Sequence, residues 1–238
     1  MSLVLNQDFL ISEEIQSALA NKQAVVALES TVITHGLPYP QNIELASQME
    51  ARVRKYGATP ATIALVNGKI RIGVTAQELQ DLAQNRDVHK ISVRDIGPAL
   101  AMGWNGGTTV ASTALIAHLA GVHVFATGGI GGVHREPLYD VSADLPQLGQ
   151  TPIIVVCAGA KAILDLPATL EVLETSSVPV VGFQTDHFPA FYSLSSGLPV
   201  SVRADLPEQV ALIALRQWNL GVKSAILVVA PPPAEVAL

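Results

Sequence analysis

Residues 108–133, TTVASTALIAHLAGVHVFATGGIGGV, carry no charged side chain and decide how the chain folds. The run is long enough to span a bilayer. Gly121 divides it, however, into a helix-like half ending at Leu119 and a strand-like half, Val122 to Thr127, and His118, His123 and several glycines sit inside it. Length and punctuation therefore predict a buried helix-to-strand unit that opens into a loop at Gly128, with no membrane span.

Outward from this unit the pattern repeats. Strand-like runs occur at Ala24–Leu28, Ala61–Val66, Ile70–Val74, Lys90–Val93, Pro152–Cys157, Val178–Phe183 and Ser224–Val229. Helical patterns lie between many of them. One starts at Ser12 with Glu13 and Glu14, and Pro40 to Tyr56 is a second, stopped by Gly57. Thr75 with Glu78 forms a capping-box pattern. Thr108–Leu119 ends at Gly121 and Pro207–Leu220 at Gly221, each a C-cap glycine. Apolar strands alternating with helices predict an α/β fold, a three-layer α/β/α sandwich on a largely parallel, mixed sheet. A length of 238 residues suits one domain, 1–238.

Composition narrows the function classes. Charged residues make up 14% and hydrophobic residues 49% of the chain, so much of it must lie in a core or a subunit interface. The net charge of −6, with scattered Lys and Arg, argues against a nucleic-acid partner. The single cysteine, Cys157, excludes an intrachain disulfide and a thiolate-rich metal site, and fits a reducing cytoplasm. The N-terminal stretch MSLVLNQDFLISEE shows no secretory pattern.

In parallel sheets ligands collect beyond the carboxyl ends of strands, and the polar residues gather there. The loop with Gly128, Gly129, Gly131 and Gly132 is neither a Walker loop nor a dinucleotide fingerprint. It reads equally as a tight turn needing small residues and as an anion cradle; His134 and Arg135 favour the anion. Lys161 in IIVVCAGAKAIL is either a lysine at a helix start reaching to solvent or a desolvated, partly neutral amine able to form an imine with a carbonyl. Glu29, ending an apolar strand, suits a general acid or a cap for the next turn. Asp140 and Asp144 suit a hard divalent cation or helix capping. Cys157, within a strand, reads as a buried inert thiol.

Taken together, VALESTVITHGLPYPQN, GATPATIALVNGKIRIG, the run through ATGGIGGVHR, DVSADL, VVCAGAKAILDL and VPVVGFQTDHFPAFY resemble the pseudouridine-5′-phosphate glycosidase family, also called pseudouridylate synthase or indigoidine synthase A-like. The resemblance runs from about Ser12 to Ala230. It implies reversible cleavage of the C–C glycosidic bond of pseudouridine 5′-phosphate with water, giving uracil and ribose 5-phosphate. It also implies a cytoplasmic homotrimer using Mn²⁺ or another divalent cation such as Mg²⁺.

Carried over residue by residue, the resemblance makes Glu29 the acid, Lys161 the Schiff-base nucleophile and Asp140 the metal ligand. Substrate contacts fall on Lys90, Val110, Thr127, His134, Ser142, Ala143 and Asp144. Relative to the family pattern the chain is expected to lack a C-terminal helical region, and Pro231 stands where an ANP-like turn has asparagine. A phosphosugar- or nucleotide-binding protein with impaired turnover is the alternative expectation, and an imine-forming phosphosugar aldolase a third.

Overall fold

The computed structural model describes residues 7–85, 87–137, 139–233 and 235, and its chain separates into two compact units, residues 1–125 and 126–238.

The first unit begins with β1 (Phe9–Ile11), α1 (Glu13–Ala20) and β2 (Val25–Leu28), followed by a π-helical turn at Val32–Gly36. Then come α2 (Gln41–Lys55), β3 (Thr59–Val66), β4 (Lys69–Ile72) and α3 (Ala76–Gln84). It continues with β5 (His89–Ile91), α4 (Val93–Met102), β6 (Gly106–Thr108) and α5 (Val110–Leu119).

Local chemistry sets these boundaries. Ser12 caps α1, and the Thr75–Glu78 capping box forms as its sequence predicts, each side chain bonding the other's backbone. Strands β1 and β4 pair in parallel, as do β2 and β3 and β5 and β6. β3 runs antiparallel to both β4 and β6. The β3–β4 reversal is a two-residue loop, Asn67 at φ 50 and Gly68 at φ 65. Positive φ at both positions matches the twist of a tight hairpin, which Asn-Gly favours.

Between sheet and helices lies a core of Ile33, Ala46, Ala64, Val74, Leu79, Leu82 and Val88. Burying each large aliphatic side chain there stabilises the fold by about 1.5–3 kcal/mol.

Strand β7 (Val124–Ala126) leads into the glycine loop. The second unit holds α6 (Asp144–Leu148), β8 (Ile154–Cys157), α7 (Leu166–Thr175), β9 (Val180–Phe183), β10 (Val202–Ala204), α8 (Pro207–Asn219) and β11 (Ile226–Val229). Its strands run β8-β11-β9-β10, every pair parallel. Val181, Ala204, Val210, Ala214, Ile226 and Val228 fill the space between this sheet and α8.

The expected fold class holds: a mostly parallel, mixed sheet with helices around it. The charge-free run divides as expected into α5, Gly121 and β7, although Thr108 belongs to β6 and the helix starts at Val110 with Thr109 as its cap. Among the described residues no helix is long and apolar enough to cross a membrane.

Candidate active site

In the first unit, three expected site residues are tied together through buried hydroxyl groups. Glu29 follows β2 and is partly buried, and Ser30 beside it is entirely buried. Ser30 Oγ donates to Ile63 O at 2.6 Å and accepts from the N–H of Thr108 at 2.9 Å. Thr108 Oγ1 also donates to Ile63 O, at 2.7 Å, and accepts from Thr113 Oγ1 at 2.9 Å. Buried hydroxyls demand partners, and this network locks the segment after Glu29 to β3, β6 and α5.

Gly107 makes the close approach possible, since a β-carbon there would collide with Thr34 Oγ1 and lie 2.9 Å from Ser30 O. Lys90, exposed on β5, is opposite Gly107 in register. The start of α5 joins the same strand: Thr109 N–H donates to Ile91 O at 3.0 Å and Ser112 Oγ donates to it at 2.6 Å. Val110, buried at the first turn of α5, is thereby held beside the Lys90 strand. His35, at the end of the π-helical turn, is held below its ordinary pKa by burial and then by the charge of Lys90.

In the second unit, the glycine loop is laced to the segment that bears Lys161. Thr127 N–H donates to Val156 O at 3.0 Å, Ala158 N–H to Gly128 O at 3.1 Å and Ile130 N–H to Gly159 O at 3.0 Å. Beyond the lysine, Asp165 N–H donates to Val133 O at 2.9 Å. Lys161 therefore projects from a short loop clamped on both sides by the glycine loop. Its side chain is exposed and lies before α7, so it leaves the apolar run instead of starting a helix inside it. Cys157 is buried with its thiol pushed up to about 12 by desolvation, which makes it an inert core residue.

A second layer shapes the loop from outside. Val133 N–H donates to Thr169 Oγ1 at 3.0 Å, and Gly131 N–H to Asp144 Oδ2 at 2.8 Å. His134 N–H donates to Asp140 O at 2.8 Å and Ser142 N–H to Gly132 O at 3.0 Å, so residues 131–142 fold back on themselves. Asp144 is buried, Ser142 half-buried and Ala143 exposed.

The glycines are needed for space, not for unusual dihedrals; none of Gly128, Gly129, Gly131 and Gly132 has a positive φ. A β-carbon on Gly131 would collide with Ser142 Oγ, one on Gly132 with Thr169 Oγ1, and one on Gly129 would lie 2.5 Å from the Phe191 ring. Because the amides of Ile130, Gly131, Val133 and His134 are spent internally, an anion is left the amides of Gly128, Gly129 and Gly132, which have no partner among the described residues.

Asp140 is exposed, with Oδ2 3.9 Å from His134 Nδ1. Among the described residues no three His, Cys, Asp or Glu side chains group so as to hold a metal ion. This donor set fits a hard, largely hydrated cation touched by one carboxylate; it does not fit a closed protein cage.

Sequence reading missed Thr108 and Thr113, Thr169, and Phe191. These residues lie far along the chain from the loops they fix, and hydroxyl residues inside apolar runs carry no pattern of their own.

Polar loops at the carboxyl ends of parallel strands, with a lysine clamped beside a glycine loop, define an α/β domain built to hold a small polar ligand. Within that class, the chain belongs to the indigoidine synthase A like protein family, whose model matches residues 14–238. It is 52% identical over 236 residues to a pseudouridine-5′-phosphate glycosidase of Caldanaerobacter subterraneus subsp. tengcongensis, covering 98% of this chain and 77% of the relative. It is 56% identical over 231 residues to a pseudouridine-5′-phosphate glycosidase of Herpetosiphon aurantiacus, covering 96% and 76%. Among solved structures it is similar to the prealnumycin C-glycosynthase AlnA in complex with ribulose 5-phosphate, with TM-score 0.91 and 43% identity over 98% of this chain and 76% of that one.

Proposed function

We propose that this protein catalyses the reversible cleavage of pseudouridine 5′-phosphate and water to uracil and ribose 5-phosphate. The observation that carries the reading is Lys161, displayed from a loop clamped to the glycine loop, in a chain about half identical to enzymes named for this reaction. A C–C glycosidic bond needs a lysine because protonating a carbon leaving group does not by itself supply the electrons that expel it.

In the proposed sequence, neutral Lys161 attacks C1′ of the ribose while the C1′–O4′ bond breaks and Glu29 gives its proton to O4′. The ammonium so formed returns a proton to the Glu29 carboxylate, which passes it to uracil C5. The nitrogen lone pair forms C1′=N⁺ as the C1′–C5 bond breaks, and uracil leaves with that bonding pair. Water adds to the iminium carbon, and collapse of the adduct frees ribose 5-phosphate and the lysine amine.

Lys90, Val110, Thr127, His134, Ser142, Ala143 and Asp144 are assigned to substrate binding. Asp140 is assigned to Mn²⁺ or Mg²⁺, which when bound supplies positive charge that attracts substrate oxygens. Binding of ribulose 5-phosphate by the similar C-glycosynthase supports a pentose phosphate as ligand.

Release of uracil from pseudouridine 5′-phosphate with Mn²⁺ present is the direct test. Borohydride reduction with ribose 5-phosphate is expected to add the sugar phosphate to Lys161 and to nothing in Lys161→Ala. A label elsewhere in an active preparation removes the lysine assignment, and turnover of an aldol substrate alone replaces the reaction.

A homotrimer in the cytoplasm belongs to the same proposal, supported by the apolar composition and the lone cysteine. Sedimentation giving a monomer or dimer, or fractionation with the membrane, contradicts it.

A further inference from the structure

Phe191 differs from the neighbouring phenylalanine. Phe188 is wholly buried, whereas Phe191 keeps part of its surface exposed. Its φ is +60, a conformation that side-chain-bearing residues adopt only when their surroundings impose it. The imposing contacts are local: Phe191 N–H donates to Ala158 O at 3.0 Å, and Ala190 is bridged to Gly159. Tyr192 meets the ring edge-on with centroids 4.6 Å apart.

The result is an aromatic ring fixed against Gly128 and Gly129, by a turn bonded three residues before Lys161. A β-carbon on Gly128 would touch the ring at 3.5 Å. Simple filling of the loop requires neither an aromatic ring nor a partly exposed one, and any apolar residue would serve.

We infer that the Phe191 ring is the surface on which the flat uracil base lies when C1′ is joined to Lys161. The inference rests on the proposed reaction and specifies its base subsite. Uracil presents a conjugated face that an aromatic side chain holds without hydrogen bonds. In the direction of synthesis, free uracil must be bound flat before its C5 reaches C1′. A ring held rigidly beside the lysine loop meets that need, and it discriminates a planar base from water or a flexible acceptor.

The test uses the full chain carrying Phe191→Leu or Phe191→Tyr, assayed in the direction of synthesis. The leucine variant is expected to raise KM for uracil roughly tenfold, with KM for ribose 5-phosphate and borohydride trapping on Lys161 unchanged. The tyrosine variant keeps the ring and stays within about twofold of the parent. An unchanged KM for uracil in Phe191→Leu, or an equal rise in both KM values, overturns the inference.

Protein labelled with ¹³C in its phenylalanine rings gives a second readout that needs no leucine variant. Uracil added with ribose 5-phosphate is expected to shift the Phe191 resonance, identified by its loss in Phe191→Tyr; no shift overturns the inference. A parent protein that neither traps ribose 5-phosphate nor forms product refutes the reaction itself. A parent that does both while Phe191→Leu keeps its KM for uracil refutes the base subsite alone.

Discussion

Asp144 Oδ2 accepts a 2.8 Å hydrogen bond from the N–H of Gly131, so a carboxyl group with 8% of its residue surface exposed pins the middle of the glycine loop. The Asp144 N–H in turn donates to Ser142 Oγ at 3.2 Å. Removing the acceptor orphans a backbone donor. Asp144→Ala is expected to cost about 1–3 kcal/mol of stability, and Asp144→Asn, which keeps an acceptor oxygen, distinctly less. Urea unfolding of the two variants measures the difference, and equal losses would remove the pin from the account.

Gly131 and Ser142 are coupled by shape. A β-carbon on Gly131 collides with the Ser142 side chain, so Gly131→Ala is expected to destabilise the protein by about 1–3 kcal/mol through overpacking. Ser142→Gly removes the two nearest obstacles, leaving Asp144 Oδ2 at 2.9 Å. The double variant is expected to be more stable than the sum of the single changes predicts, a coupling read from a double-mutant cycle. Additive losses would show that Gly131 is required for another reason.

The hydroxyl network under Glu29 makes an ordering testable. Thr108→Val removes the donor to Ile63 O and the acceptor for Thr113, and is expected to cost about 1–3 kcal/mol. Thr113→Val removes one bond and leaves Thr108 attached to Ile63, so it costs less. Thermal or urea unfolding checks the order. Uracil release should follow it too, because the network holds the segment after Glu29, while borohydride trapping on Lys161 reports separately on the nucleophile.

Acid sensitivity has an identifiable source. Burial and then the charge of His123 hold His118 below its ordinary pKa, and burial followed by Lys90 does the same to His35. Nδ1 of His118 is buried without a partner among the described residues, so protonating it leaves a charge poorly compensated. With a depressed folded pKa, the unfolded chain takes up protons first. The associated stability is present above the ordinary histidine value of about 6.5 and lost as pH falls through the lower folded value. Unfolding free energy is therefore expected to fall as pH drops below about 7.5, less steeply in His118→Leu; identical slopes would exclude His118.

Much of the scaffold is legible from the chain because apolar strands announce themselves. Every expected strand forms, with ends shifted by a few residues. β6 escapes because it reads Gly-Gly-Thr: its glycines admit Ile91 and Thr34, whose approach no local pattern encodes. α4 escapes because Gly97 and Pro98 interrupt its helical signature, although Asp95 bonds the N–H of Ser92 at 3.0 Å and secures its start.

In the glycine loop, the reading of a tight place that needs small residues holds, but composition does not say what fills it. The crowding comes from Ser142, Thr169 and Phe191, which only the tertiary fold brings there. Lys161 shows the converse: its apolar neighbours suggest a buried amine, yet the run stops at Ala160 and the lysine turns outward.

The clamp on the Lys161 loop has a consequence for how such a protein can change. Its closest ties, Ala158 to Gly128, Ile130 to Gly159 and Asp165 to Val133, join main chain to main chain. Main-chain bonds are indifferent to side-chain identity. The exposed neighbours Ala162 and Ile163 can be exchanged one at a time, redrawing what the loop accepts while the amine keeps its address; Gly159, at φ 87 and with Pro189 O where a β-carbon would go, cannot.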